Sequence, residues 1–339
     1  MKRRIVIVMI CALMLSGAFL LAACNNETTP TADTPTNGNG WEMAPTTRLI
    51  MATGGVAGTY YPLGGAMAAV INNITNLQIS ANASGASVDN MGQLFLGDAD
   101  IALAQNDIIS YALNGTEVWA VAEREPVTNL ATLMTLYPET VQIVVEAGSG
   151  IYSVDDLRGR RVSIGDIGSG TEANALQILG AHGITTADFD VRNLSFGASS
   201  EAMRDGLIDA AFVTAATPNP AVLDLSVARD LRILPLSDAA IQTLMNNYPF
   251  YAPITITSAD GYDFVTEPVQ TVAVQATLVT TMDLDEQIAY DIVRALIENS
   301  GSIGHARGAY ITPENAVRYL SAPLHPGAER FFREIGAIS

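Results

Sequence analysis

Thr53-Gly54-Gly55-Val56-Ala57-Gly58-Thr59-Tyr60-Tyr61-Pro62 joins a strand-like run, Arg48 to Ala52, to a stretch with helical spacing, Leu63 to Ile71. A glycine- and hydroxyl-rich turn in this position leaves backbone N–H groups unpaired at a helix N-terminus, a place that favours an anion. A second such turn, Gly168-Ser169-Gly170-Thr171, follows the strand-like Arg161 to Gly165 and opens a helix over Ala173 to Leu179. Gly58-Thr59 and Gly170-Thr171 lie 112 positions apart. Each turn is followed by a phrase ending in aspartate and alanine-rich strand: Gly97-Asp98-Ala99-Asp100-Ile101-Ala102 and Gly206-Leu207-Ile208-Asp209-Ala210-Ala211. The pattern predicts two related α/β lobes that each offer a helix N-terminus to one shared cleft.

The rest of the body keeps this rhythm. Leu77–Ala81, Asp100–Ala104, Thr140–Val145, Asp190–Leu194, Asp209–Thr214 and Asp230–Leu236 read as strands between amphipathic segments, which predicts mostly parallel sheets. An extended Tyr/Pro-interrupted stretch follows at Tyr248–Thr257, then a long alternating strand, Gln270–Thr280, and helices over Leu284–Asn299 and Pro326–Gly336. Crossings between lobes near Leu136–Thr140 and Tyr248–Ile254 would form a hinge. The expected boundaries are residues 1–23, a leader; 24–47, a linker; 48–138 and 254–339, the first lobe; and 139–253, the second.

Lys2, Arg3 and Arg4 precede the apolar run Ile5 to Leu21, which ends in Leu21-Ala22-Ala23-Cys24. Positive, apolar and small residues in that order read as a secretory signal, and the small pair before Cys24 resembles a bacterial lipobox. An uncleaved anchor is the competing reading, because the run nearly spans a bilayer. The expectation is an extracytoplasmic body lipid-anchored to a bacterial membrane through Cys24. Cys11 leaves with the leader, so no disulfide or thiolate site remains. Residues 25–47, rich in Thr, Pro, Asn and Gly, read as a flexible spacer. The leader holds three of the 17 basic residues and none of the 35 acidic ones, leaving 14 against 35, a formal charge of −21. Such a surface argues against nucleic acid as a partner. Three histidines without metal spacing, and no Gly-x-Ser-x-Gly elbow, argue against an enzyme, and neither cofactor nor metal is expected. Asp155-Asp156 and Asp283 with Asp285 sit where helices begin and complement their dipoles.

TGGVAGTYYPLGGAMA, SGASVDN (Ser84 to Asn90), LYPE (Leu136 to Glu139), GDIGSGTEANALQIL, DAAFVTAATPNP and PLHPGAERFFRE together resemble the TAXI-type solute-binding subunits of tripartite ATP-independent periplasmic (TRAP) transporters, in order from Arg48 to Gly336. The resemblance implies a two-lobe periplasmic-binding-protein fold of the second structural type, with a hinge. It also implies capture of a small carboxylate, such as glutamate or 2-oxoglutarate, for delivery to ion-gradient-driven membrane subunits. A ligand-sensing receptor for a signalling partner is the alternative. Val56 and Ala57 depart from the family phrase TGGTGGTYYP, removing one hydroxyl donor.

Candidate ligand residues are Gly55, Gly58, Thr59 and Tyr60 in the first turn and Ser169, Gly170 and Thr171 in the second. N–H groups and hydroxyls there can hold both ends of a dicarboxylate. Tyr60 walls the pocket while Tyr61 reads as core. Ser84 and Ser87 precede a helix, where capping competes with ligand binding. Gln105, Asn106 and Asp107 end a strand at its carboxyl edge, where open α/β sheets bind ligands, and Asp107 can pair an ammonium; turn-building is the competing role. Tyr137 at the first crossing, and Thr214 and Pro218 after a second-lobe strand, complete the set. No arginine falls in these phrases, so either backbone dipoles carry the anion or an arginine such as Arg124 or Arg192 arrives from elsewhere.

Overall fold

The computed structural model describes residues 43–339; the leader, Cys24 and linker residues 24–42 lie outside the described residues. In chain order the elements are β1 (Thr47–Ala52), α1 (Tyr60–Ile74), β2 (Leu77–Asn82), α2 (Ser87–Leu96), β3 (Ile101–Gln105), α3 (Asn106–Asn114), α4 (Glu117–Val121) and β4 (Leu130–Glu146). Then come β5 (Arg161–Ser163), α5 (Gly170–Ala181), β6 (Asp190–Arg192), α6 (Phe196–Arg204), β7 (Ala210–Ala215), α7 (Pro220–Ala228), β8 (Leu231–Ile233) and α8 (Asp238–Asn247). The chain finishes with β9 (Ala252–Ile256), β10 (Val269–Thr281), α9 (Glu286–Glu298), α10 (Pro313–Ala316) and α11 (Pro326–Glu334).

The strands lie in the order β2-β1-β3-β10-β4-β7-β5-β6, with β8 beside β4 and β9 beside β10. Read from either end, this order has the same grammar. β1 pairs in parallel with β2 and β3, and β5 pairs in parallel with β6 and β7. A long antiparallel strand then closes each set, β10 against β3 and β4 against β7. The central strands β3 and β7 are buried along their whole length, as parallel strands covered on both faces must be. The architecture is α/β, a two-lobe periplasmic-binding-protein fold of the second type.

The repeated phrase has the same job in both halves. Gly97 and Gly206 adopt φ of 74° and 68°, a region glycine enters without a Cβ clash, and turn the chain out of α2 and α6. Asp100 then accepts the Ile50 N–H of β1 at 2.7 Å and returns its own N–H to the Ile50 carbonyl at 3.0 Å. Asp209 does the same to Arg161 of β5, accepting its N–H at 2.8 Å and its guanidinium at 2.6 Å. One carboxylate thus fixes the strand that feeds each glycine turn.

Each half has its own core. Leu49, Met51, Leu63, Met67 and Ile71 pack with Ile292, Phe331 and Phe332 of the closing helices. Val141, Ile143, Val162, Ile178 and Phe212 form the other. Side chains buried to this degree each contribute about 1.5–3 kcal/mol.

The structure departs from the sequence reading in four places. Among the described residues the sheet is not mostly parallel: four strand pairs are parallel and five antiparallel, because the long strands β4 and β10 run against every strand they pair with. β4 begins at Leu130, ten residues before the expected strand, because the apolar run ahead of Pro138 is itself strand. Gln275, opposite Pro138, donates its N–H to the Asn106 side chain at 3.0 Å. Met43 and Ala44, assigned to the linker, are buried in the first core, where the Ala44 N–H meets Asp291 at 2.7 Å. The second passage between halves also comes later than Tyr248–Ile254. Ile256, Tyr262 and Val265 still pack with Val144, Met203 and Val213, and only from Ala276 onward does β10 pair with β3.

Replacing Asp100 with alanine removes an acceptor from the Ile50 N–H and should lower unfolding free energy by about 1–3 kcal/mol. Urea denaturation measures this, and an unchanged midpoint would show the clasp to be dispensable.

Candidate functional site

α1, α2, α5 and α6 follow β1, β2, β5 and β6, so all four helices begin at the carboxyl ends of strands. The residues that begin these helices line one cavity of about 280 Å³ between the halves. Gly54 to Tyr60 form one wall, Ser169 to Thr171 and Ser195 to Gly197 the opposite one, and Gln105, Tyr137, Glu139 and Thr214 the floor.

Local bonds hold the turns. Thr53 is tied to the end of β2 by its N–H and its hydroxyl, both donating to the Asn82 carbonyl at 3.0 and 2.6 Å. In the second turn, Ser169 caps the Glu172 N–H at 3.1 Å while Glu172 accepts the Gly168 N–H at 2.8 Å, a reciprocal brace. Of the first-turn N–H groups, those of Glu172 in α5 and Ala198 in α6 are capped by Ser169 and Ser195; the others, beginning at residues that line the cavity, have no acceptor within their helix, as helix geometry requires. α2 uses its own differently. Val88 and Asp89 both donate to the Gly168 carbonyl at 3.1 Å, across the cleft. Ala86, just before them, has φ of 72°, a conformation that costs a non-glycine residue about 1–3 kcal/mol. A Cβ on Gly170 would fall 1.9 Å from Gln105 Oε1, so only glycine lets the halves come this close.

The floor is polar and unpaid in hydrogen bonds. The hydroxyls of Tyr60, Tyr137 and Thr214, together with Gln105 Oε1 and Glu139 Oε1, are buried without a partner in good hydrogen-bond geometry, with Tyr60 beside the Glu139 carboxyl and Tyr137 beside Thr59. The other Glu139 oxygen accepts the Gln105 amide at 3.2 Å. Burial, which penalises the charged form, pushes the Glu139 carboxyl up to about 8. Burial likewise raises the Tyr60 and Tyr137 hydroxyls, with the field of Glu139 adding to it. Buried polar atoms of native proteins are almost always satisfied, so this cluster marks a place for a hydrogen-bonding guest.

Of the residues expected from sequence, Gly55, Gly58, Thr59, Tyr60, Ser87, Gln105, Tyr137, Ser169, Gly170, Thr171 and Thr214 line the cavity. Ser84, Asn106, Asp107 and Pro218 do not. Ser84 accepts the Ala86 N–H within its own turn, at 3.1 Å. Asn106 serves the Gln275 N–H. Asp107 caps Ile108 at 2.9 Å and accepts from Asn174 at 2.9 Å, so its oxygens are committed behind the site and cannot pair an ammonium in the cavity. Pro218 packs against Gly261 instead. Tyr61, expected in the core, is 38% exposed. Arg124 donates to the Val88 carbonyl and Arg192 pairs with Asp190, and neither lines the cavity. Sequence reasoning missed Glu139 and the Ser195-Phe196-Gly197 turn. Glu139 lies two residues after Tyr137 on one strand, hence on the same face, and the second turn occupies the place in the repeat that Ser84 to Ser87 holds in the first half.

The floor can be tested with no ligand. Folded Glu139 keeps a proton that the unfolded chain releases above its ordinary 4.5, so its stability contribution is full below that value and is lost as pH rises through about 8. Asp107, raised by burial from 3.8 to about 6, acts in the same sense at lower pH. From about pH 6.5 to 8 the natural chain should therefore lose stability relative to Glu139→Gln in urea unfolding. Parallel profiles would show Glu139 to be ionised in the folded state.

Among solved structures, the fold is similar to the alkanesulfonate-binding protein SsuA from Xanthomonas axonopodis pv. citri bound to MOPS, at 15% identity and a TM-score of 0.46, covering 86% of this chain and 84% of that one. It is also similar to the periplasmic aliphatic sulphonate binding protein SsuA from Escherichia coli, at 16% identity and a TM-score of 0.49, with the same coverage of 86% and 84%. The NMT1-like family matches residues 51–336. That match takes in both glycine turns, both halves of the sheet and the closing helices, and the chain belongs to the NMT1-like family.

Proposed function

We propose that the chain is an extracytoplasmic solute-binding protein, lipid-anchored through Cys24, that captures a small carboxylate such as glutamate or 2-oxoglutarate between its lobes. It then delivers the solute to the membrane subunits of an ion-gradient-driven transporter of the TRAP type. The observation that carries the reading is the convergence of the helix beginnings of α1, α5 and α6 on one cavity with unpartnered polar atoms on its floor. N–H groups at helix N-termini bind an anion without an arginine, and the low dielectric of a closed cleft strengthens each bond. Lobe boundaries in this reading fall at Tyr137–Thr140 in β4 and Ala273–Ala276 in β10. A ligand that bridges the two glycine turns favours the closed arrangement, and that shape is what the membrane partner reads.

Thermal unfolding against a panel of mono- and dicarboxylates, with a sulfonate as a second anion class, tests the reading. A ligand at about 100 times its dissociation constant adds roughly 2.7 kcal/mol, a visible shift. Silence from every carboxylate, with the protein folded, would overturn it. Thr171→Val should weaken binding of the active carboxylate by about 1–3 kcal/mol, because a carboxylate oxygen loses a donor. Isothermal titration of that variant measures the loss, and unchanged affinity would remove Thr171 from the site.

A further inference from the structure

A second cavity, of about 300 Å³, lies behind the β4–β10 pair. Neighbouring residues of a strand point to opposite faces, so Pro138, between Tyr137 and Glu139, points away from the first cavity. Gln275, which pairs with Pro138, shares that reverse face and lines the second cavity with it. Tyr310, Asn315, Arg318 and Tyr319, from the segment between α9 and α11, stand across from them, and Pro253 of β9 closes one side. Ile311 and Ala316 anchor that segment in the first core, whereas β9 ends at Ile256, which packs with Val144 and Val213 of the other half. The second cavity, like the first, therefore lies where the halves meet.

Its chemistry differs from that of the first. The first is lined by two acids, Glu139 and Asp166, and by no arginine; the second is lined by Arg318 and by no acid. In a chain with 35 acidic residues and 17 basic ones, arginines are commonly held by carboxylates, as Arg158 is by Asp188 and Arg330 by Glu286. Arg318 and Arg307 form no ion pair among the described residues. Their guanidiniums lie over tyrosine rings instead, Arg318 over Tyr319 at 5.4 Å and Arg307 over Tyr310 at 5.0 Å. A cation over a ring face keeps its N–H donors for other partners. Tyr319 is 54% exposed and held at φ of 57°, a conformation that side chains disfavour. A ring in that position adds little to the core and is placed to cover a guest.

A guanidinium meets a carboxylate edge to edge, two N–H donors to two oxygens, and the Gln275 side-chain amide is a further donor on the same wall. Tyrosine faces and the flat rings of Pro138 and Pro253 suit a planar body better than a flexible chain. We propose that this second cavity binds an aromatic carboxylate through Arg318, Gln275, Tyr310 and Tyr319, separately from the cavity at the helix beginnings. The site stands whichever solute the first cavity takes.

Benzoate is the probe, and cyclohexanecarboxylate is its control, with the same charge and similar size but no flat ring. Titration of the full chain, followed by the probe's own proton NMR signals, reads both affinities. Benzoate should bind about threefold to tenfold tighter than the control. Arg318→Gln, at an exposed position where the fold tolerates change, should weaken benzoate about tenfold or more. Tyr319→Gly removes the ring and suits the left-handed φ, so it should weaken benzoate without lowering the melting temperature. No benzoate binding at millimolar concentration, or equal binding of cyclohexanecarboxylate, would overturn the proposal. Benzoate held in the first cavity would respond to Thr171→Val and ignore Arg318→Gln, and that pattern would overturn it as well.

Discussion

The ladder between β4 and β10 is the constraint on which the rest depends. These two strands pair from Ala273 with Thr140 to Thr281 with Leu130, and each then serves a different half at its other end. β4 leaves the ladder to pair with β7, and β10 begins beside β9 before reaching β3. Both halves therefore hang from one antiparallel pair. Tyr137 and Glu139 sit on this pair, so the floor of the cavity belongs to the most interlocked part of the molecule, while its walls come from helix beginnings on either side. The donors and acceptors at the base are thus held in positions set by the sheet rather than by the helix beginnings that form the walls.

Charge placement in the site follows from the same topology. Parallel strands that feed helices put the N-termini of those helices at one edge of each half, and the beginnings of α1, α2, α5 and α6 meet at one cavity. The acidic surface does not enter this geometry. Favourable potential for an anion comes from oriented peptide groups over a few ångströms, where bulk charge is screened. At the base the balance changes, because the hydroxyls of Tyr60, Tyr137 and Thr214 stand with a carboxyl and an amide oxygen and offer a guest both donors and acceptors.

Much of this was legible in the residues. Glycine turns announce helix beginnings because few other residues allow the close approach seen at Gly170, and the Gly-x-x-Asp phrase could be read twice because it performs one backbone task twice. The start of β4 was hidden, since an unbroken apolar run shows no period and Pro138 reads as a stop. Asn106 and Asp107 were placed wrongly for a related reason. α3 starts directly after β3, so side chains that an open sheet would aim at a ligand are turned behind the site toward Gln275 and Asn174. Glu139 escaped because one acid in an apolar strand carries no signal until the strand's alternation is known.

The Gly168 carbonyl, which accepts two N–H groups from the opposite half, gives closure a source of free energy that owes nothing to solute. A receptor able to shut while vacant presents its membrane partner with counterfeit cargo. The orphaned atoms on the floor work against that error, since each vacant closure strands them away from water and is penalised for it. Loading relieves the penalty. In a solute-binding protein, a floor of this kind would make closure over a hydrogen-bonding guest more favourable than closure over none.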